Sequence, residues 1–153
     1  MKLIGKRSLS GALEIVTWLL MAATVGTMAS LYWIVEWMMN FNNNPAHWRP
    51  LYLVTLIVSG VFALLILWQV RGVLHNANNG TIFSMNTVKR MNLLGVESLL
   101  MSLFYVVMLF VGMTKFSVGL VALIFAFFGV IAVLFADLFV EAVNYKKEND
   151  MTI

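Results

Sequence analysis

Four apolar runs, 13–39, 51–70, 93–114 and 116–140, leave this 153-residue chain little room for a soluble core. A helix needs about 20 mostly apolar residues to cross roughly 30 Å of hydrocarbon, and each run is long enough. Stretches such as LIVSGVFALLIL and VGLVALIFAFFGVIAVLF are apolar on every face, whereas barrel strands alternate over segments of about ten residues. The bilayer interior offers backbone groups no water, so helices are the consistent answer. The expected fold is all-α: an integral membrane four-helix bundle, antiparallel, forming a single domain over 1–153. A composition that is 61% hydrophobic and 11% charged, with mean hydropathy +0.90, belongs to the same class.

The formal charge of +3 sits in short basic groups beside the apolar runs, so it reports topology rather than a nucleic-acid surface, and no direct nucleic-acid binding is expected. Lys2, Lys6, Arg7, Arg71, Lys89, Arg90, Lys146 and Lys147 fall on one side, and Arg49 and Lys115 on the other. By the positive-inside rule the chain spans the cell membrane with both termini, the loop 71–92 and the tail 141–153 in the cytoplasm. The first run far exceeds the roughly 7–15 residues of a signal-peptide core, so it reads as a retained span. Cysteine is absent, which removes disulfides, thiolate nucleophiles and cysteine metal sites.

Along the chain, Ala22, Gly26 and Ser30 recur every fourth residue as a small-residue stripe, suited to close helix packing inside a monomeric bundle or to an oligomer contact. Tyr32, Trp33, Trp37 and Trp48 form an aromatic belt at the far interface, and Pro50 suits the first turn of the second helix. The second helix is expected to run to about His75. Asn76, Asn78, Asn79 and Gly80 then make a turn, and Ser84 caps a helix leading into the third span. Asn79-Gly80-Thr81 matches a glycosylation sequon but reads as a turn in a cytoplasmic loop. The bend at Thr114 and Lys115 makes a helical hairpin of the last two spans. In the fourth, Ala122, Ala126, Gly129, Ala132 and Ala136 are expected to face the bundle, and many of Phe125, Phe127, Phe128, Phe135 and Phe139 to face lipid or fill gaps.

Charge inside lipid costs about 2.5–3.5 kcal/mol on insertion scales, so every such residue needs a partner or a purpose. Glu14, Glu36, Asp137 and Glu141 lie near span ends, and Glu97 is the deepest. It reads either as a proton- or cation-binding carboxylate or as one side of a structural ion pair or hydrogen bond to another helix, with Arg71 the first candidate partner and Arg90 the second. Asp137, Glu141, Asn144 and Glu148 share one helical face. At the level of Arg71, Lys89 and Arg90, they suit mutual neutralisation or a docking site. His47 and His75 are expected on opposite sides of the membrane, where they cannot share a metal. No phosphate-cradling loop, nucleophile elbow, zinc motif or calcium loop is present, so neither catalytic residues, cofactor nor metal is assigned, and no enzyme is expected.

Gly80-Thr81-Ile82-Phe83-Ser84-Met85-Asn86, followed by Lys89-Arg90 and Gly95, and the ending Glu148-Asn149-Asp150-Met151-Thr152-Ile153 together resemble the bacterial membrane-protein family DUF2975. Members are similar in length, in four spans, in a loop reading G-x-x-F-S-x-x-N and in a tail reading E-N-D-L-T-I, from which Met151 departs. The resemblance brings no activity. It implies a gene neighbourhood with small helix-turn-helix transcription regulators, and hence a membrane protein that restrains or informs one. On that expectation the contact surface comprises Phe83, Ser84, Asn86, Lys89, Arg90, Asp137, Glu141, Glu148, Asn149 and Asp150. The competing class is a small-molecule or ion transporter, which needs a polar path where Thr24, Thr27, Ser59, Ser102 and Tyr105 offer only modest polarity.

Overall fold

The computed structural model describes residues 9–41, 45–112 and 116–151, omitting the side chains of residues 150 and 151. Lys2, Lys6, Arg7, Thr114, Lys115, Thr152 and Ile153 therefore lie outside the described residues, as do the side chains of Asp150 and Met151. The described residues form five α-helices: α1 (Leu9–Ala29), α2 (Leu31–Phe41), α3 (Arg49–Asn78), α4 (Met85–Val111) and α5 (Phe116–Met151). Four helical stretches, Leu9–Ala29, Ala46–Asn78, Met85–Val111 and Phe116–Asn149, are long and apolar enough to cross a membrane. The helices outrun the apolar runs that seed them. At about 1.5 Å per residue α5 measures about 54 Å, well beyond the roughly 30 Å of hydrocarbon.

The first run is divided at Ser30 rather than forming one helix. Ser30 Oγ bonds back to the carbonyls of Gly26 (3.0 Å) and Thr27 (3.2 Å). Thr24 and Thr27 likewise bond to Leu20 and Ala23. Such back-bonding competes with the main-chain ladder and bends helices, most easily beside glycine.

Packing is serial: α1 lies on α3, α3 on α4, and α4 most extensively on α5. The α4–α5 seam is closed by small residues. A Cβ on either Gly95 or Gly129 would stand 3.0 Å from the other's carbonyl oxygen, and Ser102 Oγ donates to the Ala122 carbonyl at 2.8 Å. Ala122, Gly129, Ala132 and Ala136 are buried and Ala126 half-buried, while Phe127, Phe128 and Phe135 are exposed. Backbones approach there because little side chain intervenes. The stripe on α1 behaves otherwise: Ala22 and Gly26 are exposed, and a Cβ at Gly26 would meet nothing within 4 Å. The covered face of the first span runs instead through Ser10, Thr17, Leu31, Val35 and Met39. Packing within the monomer is therefore not what the small residues at 22 and 26 serve.

Opposite the α3–α4 turn, Trp48 rests over Gly112, whose φ of +119° is a left-handed helix end that glycine tolerates. Arg49 pairs with Glu36 at 3.5 Å and lies 4.5 Å from the Tyr32 ring centroid.

Candidate functional site

The polar groups of the molecule gather where α3 turns into α4. Gly80, at φ +73°, permits the turn. Ser84 caps α4, accepting from the Thr87 N–H at 3.4 Å. Asn76 pins both sides: its Nδ2 donates to Thr87 Oγ1 at 3.0 Å, and its carbonyl accepts from the Thr81 N–H at 2.9 Å and Oγ1 at 3.2 Å. Thr87 is wholly buried. A turn of asparagines and threonines is thus held by internal bonds.

The last turns of α3 also hold α1. Asn78 Nδ2 donates to Glu14 Oε2 at 2.6 Å and reaches the Ser10 carbonyl at 3.5 Å. His75 Nδ1 lies 3.2 Å from Glu14 Oε1, and Asn79 Nδ2 lies 2.9 Å from His75 Nε2. With Nε2 accepting from Asn79, Nδ1 carries the proton directed at the carboxylate. Glu14 therefore has partners at both oxygens, supplied by residues 75 and 78, one helical turn apart on a single face. That i, i+3 spacing was readable in the sequence; its target across sixty residues was not.

For Glu97 the geometry shows the hydrogen bond to another helix, with neither Arg71 nor Arg90 as the partner. Gln69 Nε2 donates to Glu97 Oε1 at 3.1 Å, while Glu97 Oε2 is buried without a hydrogen-bond partner. Among the described residues Arg49 pairs with Glu36 and the His75 imidazole hydrogen-bonds Glu14, and no basic side chain pairs with Glu97. Arg71 stacks instead on two tryptophans, its guanidinium carbon 4.4 Å from the Trp18 ring centroid and 5.3 Å from that of Trp68. Arg90 lies across Gly72, where a Cβ would collide with its guanidinium. The reason is helical phase: at 3.6 residues per turn Arg71 points about 200° around α3 from Gln69, so both cannot face α4.

Of the expected contact surface, Phe83 is 47% exposed and stacks on Phe139 with centroids 5.8 Å apart. It thus packs the turn onto α5 while keeping an open face. Ser84 is committed to its capping role. Asn86, Lys89, Asp137, Glu141, Glu148 and Asn149 are exposed, and Arg90 is half-buried. No ion pair joins Asp137 or Glu141 to Arg71, Lys89 or Arg90, so the expected mutual neutralisation does not take the form of direct contacts. Tyr145, 69% exposed on α5, was not anticipated. His47 lies beside Trp48, remote from His75 in its own contacts. No cluster of three or more metal-ligating side chains occurs among the described residues.

A family model described as a protein of unknown function, DUF2975, matches residues 20–153. No curated protein and no solved structure matches the chain.

Proposed function

The chain belongs to the DUF2975 family, and from that premise we propose that it is a non-enzymatic membrane protein whose α3–α4 end engages a cytoplasmic partner. In this reading the four spans run antiparallel, with both termini and the segment 71–92 on the cytoplasmic face of the cell membrane. The order of contacts supports the alternation. Trp18 meets Arg71 and Met28 meets Gly60; Thr55 meets Met108 and Asn76 meets Thr87; Ser102 meets Ala122 and Gly95 meets Gly129. Within each helix pair one number rises as the other falls. Arg71, Lys89, Arg90, Lys146 and Lys147 share one end, against Arg49 at the other among the described residues, which supports the orientation.

The observation that carries the partner reading is the course of α5. It continues to Met151 past Val143, the last buried residue described in it, and so holds Glu141, Asn144, Tyr145, Lys146 and Lys147 exposed at the end where Phe83 is half-open. Two aromatic anchors among charges of both signs suit a protein contact, in which aromatic residues supply most of the energy and charges set the register. The partner we assign is the class the family resemblance implies, a small helix-turn-helix regulator. Transport is the competing class; along the α3–α4 seam Ser59 is bonded to Tyr105 at 2.9 Å and Gln69 to Glu97 Oε1, which leaves Glu97 Oε2 as the buried polar atom of these four side chains without a hydrogen-bond partner.

The test is direct binding of a small helix-turn-helix regulator, of the class the family resemblance implies, to the full chain in liposomes. Saturable binding that weakens by about tenfold or more with Tyr145→Ala or Phe83→Ala supports the reading. A chain shortened after Lys147 measures the contribution of the tail. Absence of binding, together with solute flux across the same liposomes, overturns it in favour of transport.

A further inference from the structure

Arg71 presents a cation without a direct ion pair at the head of an apolar groove. Its Nε is buried without a hydrogen-bond partner, and no carboxylate pairs with it. The nearby acid, Glu14, already has both oxygens engaged by His75 and Asn78. A groove of about 600 Å³ between α1 and α3 is lined by Trp18 and Trp68, the same two tryptophans that meet Arg71, together with Ala22, Val25, Leu64 and Leu65. The small side chain of Ala22 keeps its floor open.

We propose that this groove holds an acyl chain of an anionic phospholipid from the leaflet at the α3–α4 end, with the lipid phosphate accepting hydrogen bonds from the Arg71 guanidinium. With Nε buried and the guanidinium carbon over the two indole rings, the terminal N–H groups of Arg71 are the ones left for a phosphate, whose oxygens match that fork. Charge-assisted bonds to phosphate are about twice as strong as neutral ones. Basic pockets between transmembrane helices hold anionic headgroups in this way, and tryptophan sits at the same headgroup level. A second copy of the chain is the other candidate occupant, since Ala22 and Gly26 lie exposed on this side of α1. Such a contact would enclose Arg71 with only Glu14, whose oxygens are already bonded to His75 and Asn78, to offset its charge, which leaves the buried cation without a direct partner. Charge complementarity therefore selects the lipid, independently of any cytoplasmic partner.

Native mass spectrometry of the full chain, extracted in mild detergent and offered equimolar phosphatidylglycerol and phosphatidylcholine of identical acyl chains, reads both the adducts and the oligomeric state. The wild-type chain is expected to retain phosphatidylglycerol preferentially. Arg71→Gln should lower that preference about tenfold, the scale of one charge-assisted hydrogen bond. Arg49→Gln, at the opposite end, should leave it intact, and Ala22→Phe should reduce retention of both lipids. If Arg71→Gln does not purify, Arg71→Lys decides: a reduced preference supports the site and an unchanged one overturns it. Equal retention of both lipids by the wild type also overturns it. So does a dimer without lipid adducts that Ala22→Phe dissociates, which would give the groove to a second copy.

Discussion

Gln69 donates a hydrogen bond from Nε2 to Oε1 of Glu97 at 3.1 Å, joining α3 to α4 through an amide rather than a cation. The distinction sets what substitution does. In Glu97→Gln the new side-chain carbonyl still accepts from Gln69, and the cost of holding charge in the span disappears, so the variant should match or exceed the wild type in thermal stability. Gln69→Leu instead leaves the carboxyl with no partner at either oxygen and should destabilise by about 1–3 kcal/mol. Unfolding curves of the two variants in detergent decide the matter. A large loss in Glu97→Gln would mean that the charge itself is required.

The α4–α5 seam depends on two glycines whose missing Cβ positions are taken up by neighbours: Val133 Cγ2 lies 2.6 Å from that of Gly95 and Leu99 Cγ 2.8 Å from that of Gly129, with each other's carbonyl close behind. A methyl at Gly95 meets the Gly129 carbonyl, and a methyl at Gly129 meets that of Gly95, each at 3.0 Å. Carbonyl groups in a helix cannot swing aside as a flexible side chain can. Gly95→Ala and Gly129→Ala should each cost about 1–3 kcal/mol, the scale of overpacking. Gly26→Ala, with open space around its Cβ, should lose nothing and gain slightly from helix propensity. Parallel melting curves of the three variants measure this contrast.

These two cases show where sequence reading succeeded and where it stopped. Span positions follow from the length of apolar runs, a property each segment carries by itself, and the Ser84 cap follows from chemistry within four residues. Small residues on the fourth span were correctly directed inward because α5 offers them along one face. The same reasoning on Ala22, Gly26 and Ser30 lacked the phase of α1, which turns Ser10, Thr17 and Leu31 inward instead. Glu97 was matched to arginine because opposite charge was the strongest attraction in view. The rings of Trp18 and the phase of α3, both tertiary facts, send Arg71 elsewhere.

Asn78 ties the start of α1 to the end of α3, through Glu14 Oε2 at 2.6 Å and the Ser10 carbonyl at 3.5 Å. Elsewhere that part of α1 is largely exposed, with Leu9, Leu13, Ile15 and Val16 open to lipid. Asn78→Ala should therefore free the first turns of α1 while leaving the buried Asn76–Thr87 bond in place. Hydrogen exchange in nanodiscs is expected to speed up in residues 9–17 and to stay unchanged in 85–95. Uniform acceleration across both would mean that the turn unfolds as one unit.

The orientation is open to a direct test because the chain has no cysteine, so each introduced thiol reports alone. His47 and Asn79 are both exposed and lie at opposite ends of α3, so neither substitution disturbs a buried group. A helix of 30 residues is about 45 Å long, enough to carry the two positions to opposite sides of the hydrocarbon. A membrane-impermeant maleimide applied to intact cells should label His47→Cys and spare Asn79→Cys, with the pattern completed on inverted vesicles. The basic residues Arg71, Lys89 and Arg90 flank position 79 within one short stretch, where the positive-inside bias is strongest. Labelling of Asn79→Cys from outside would place the whole α3–α4 end, with Phe83 and Tyr145, out of reach of any cytoplasmic regulator.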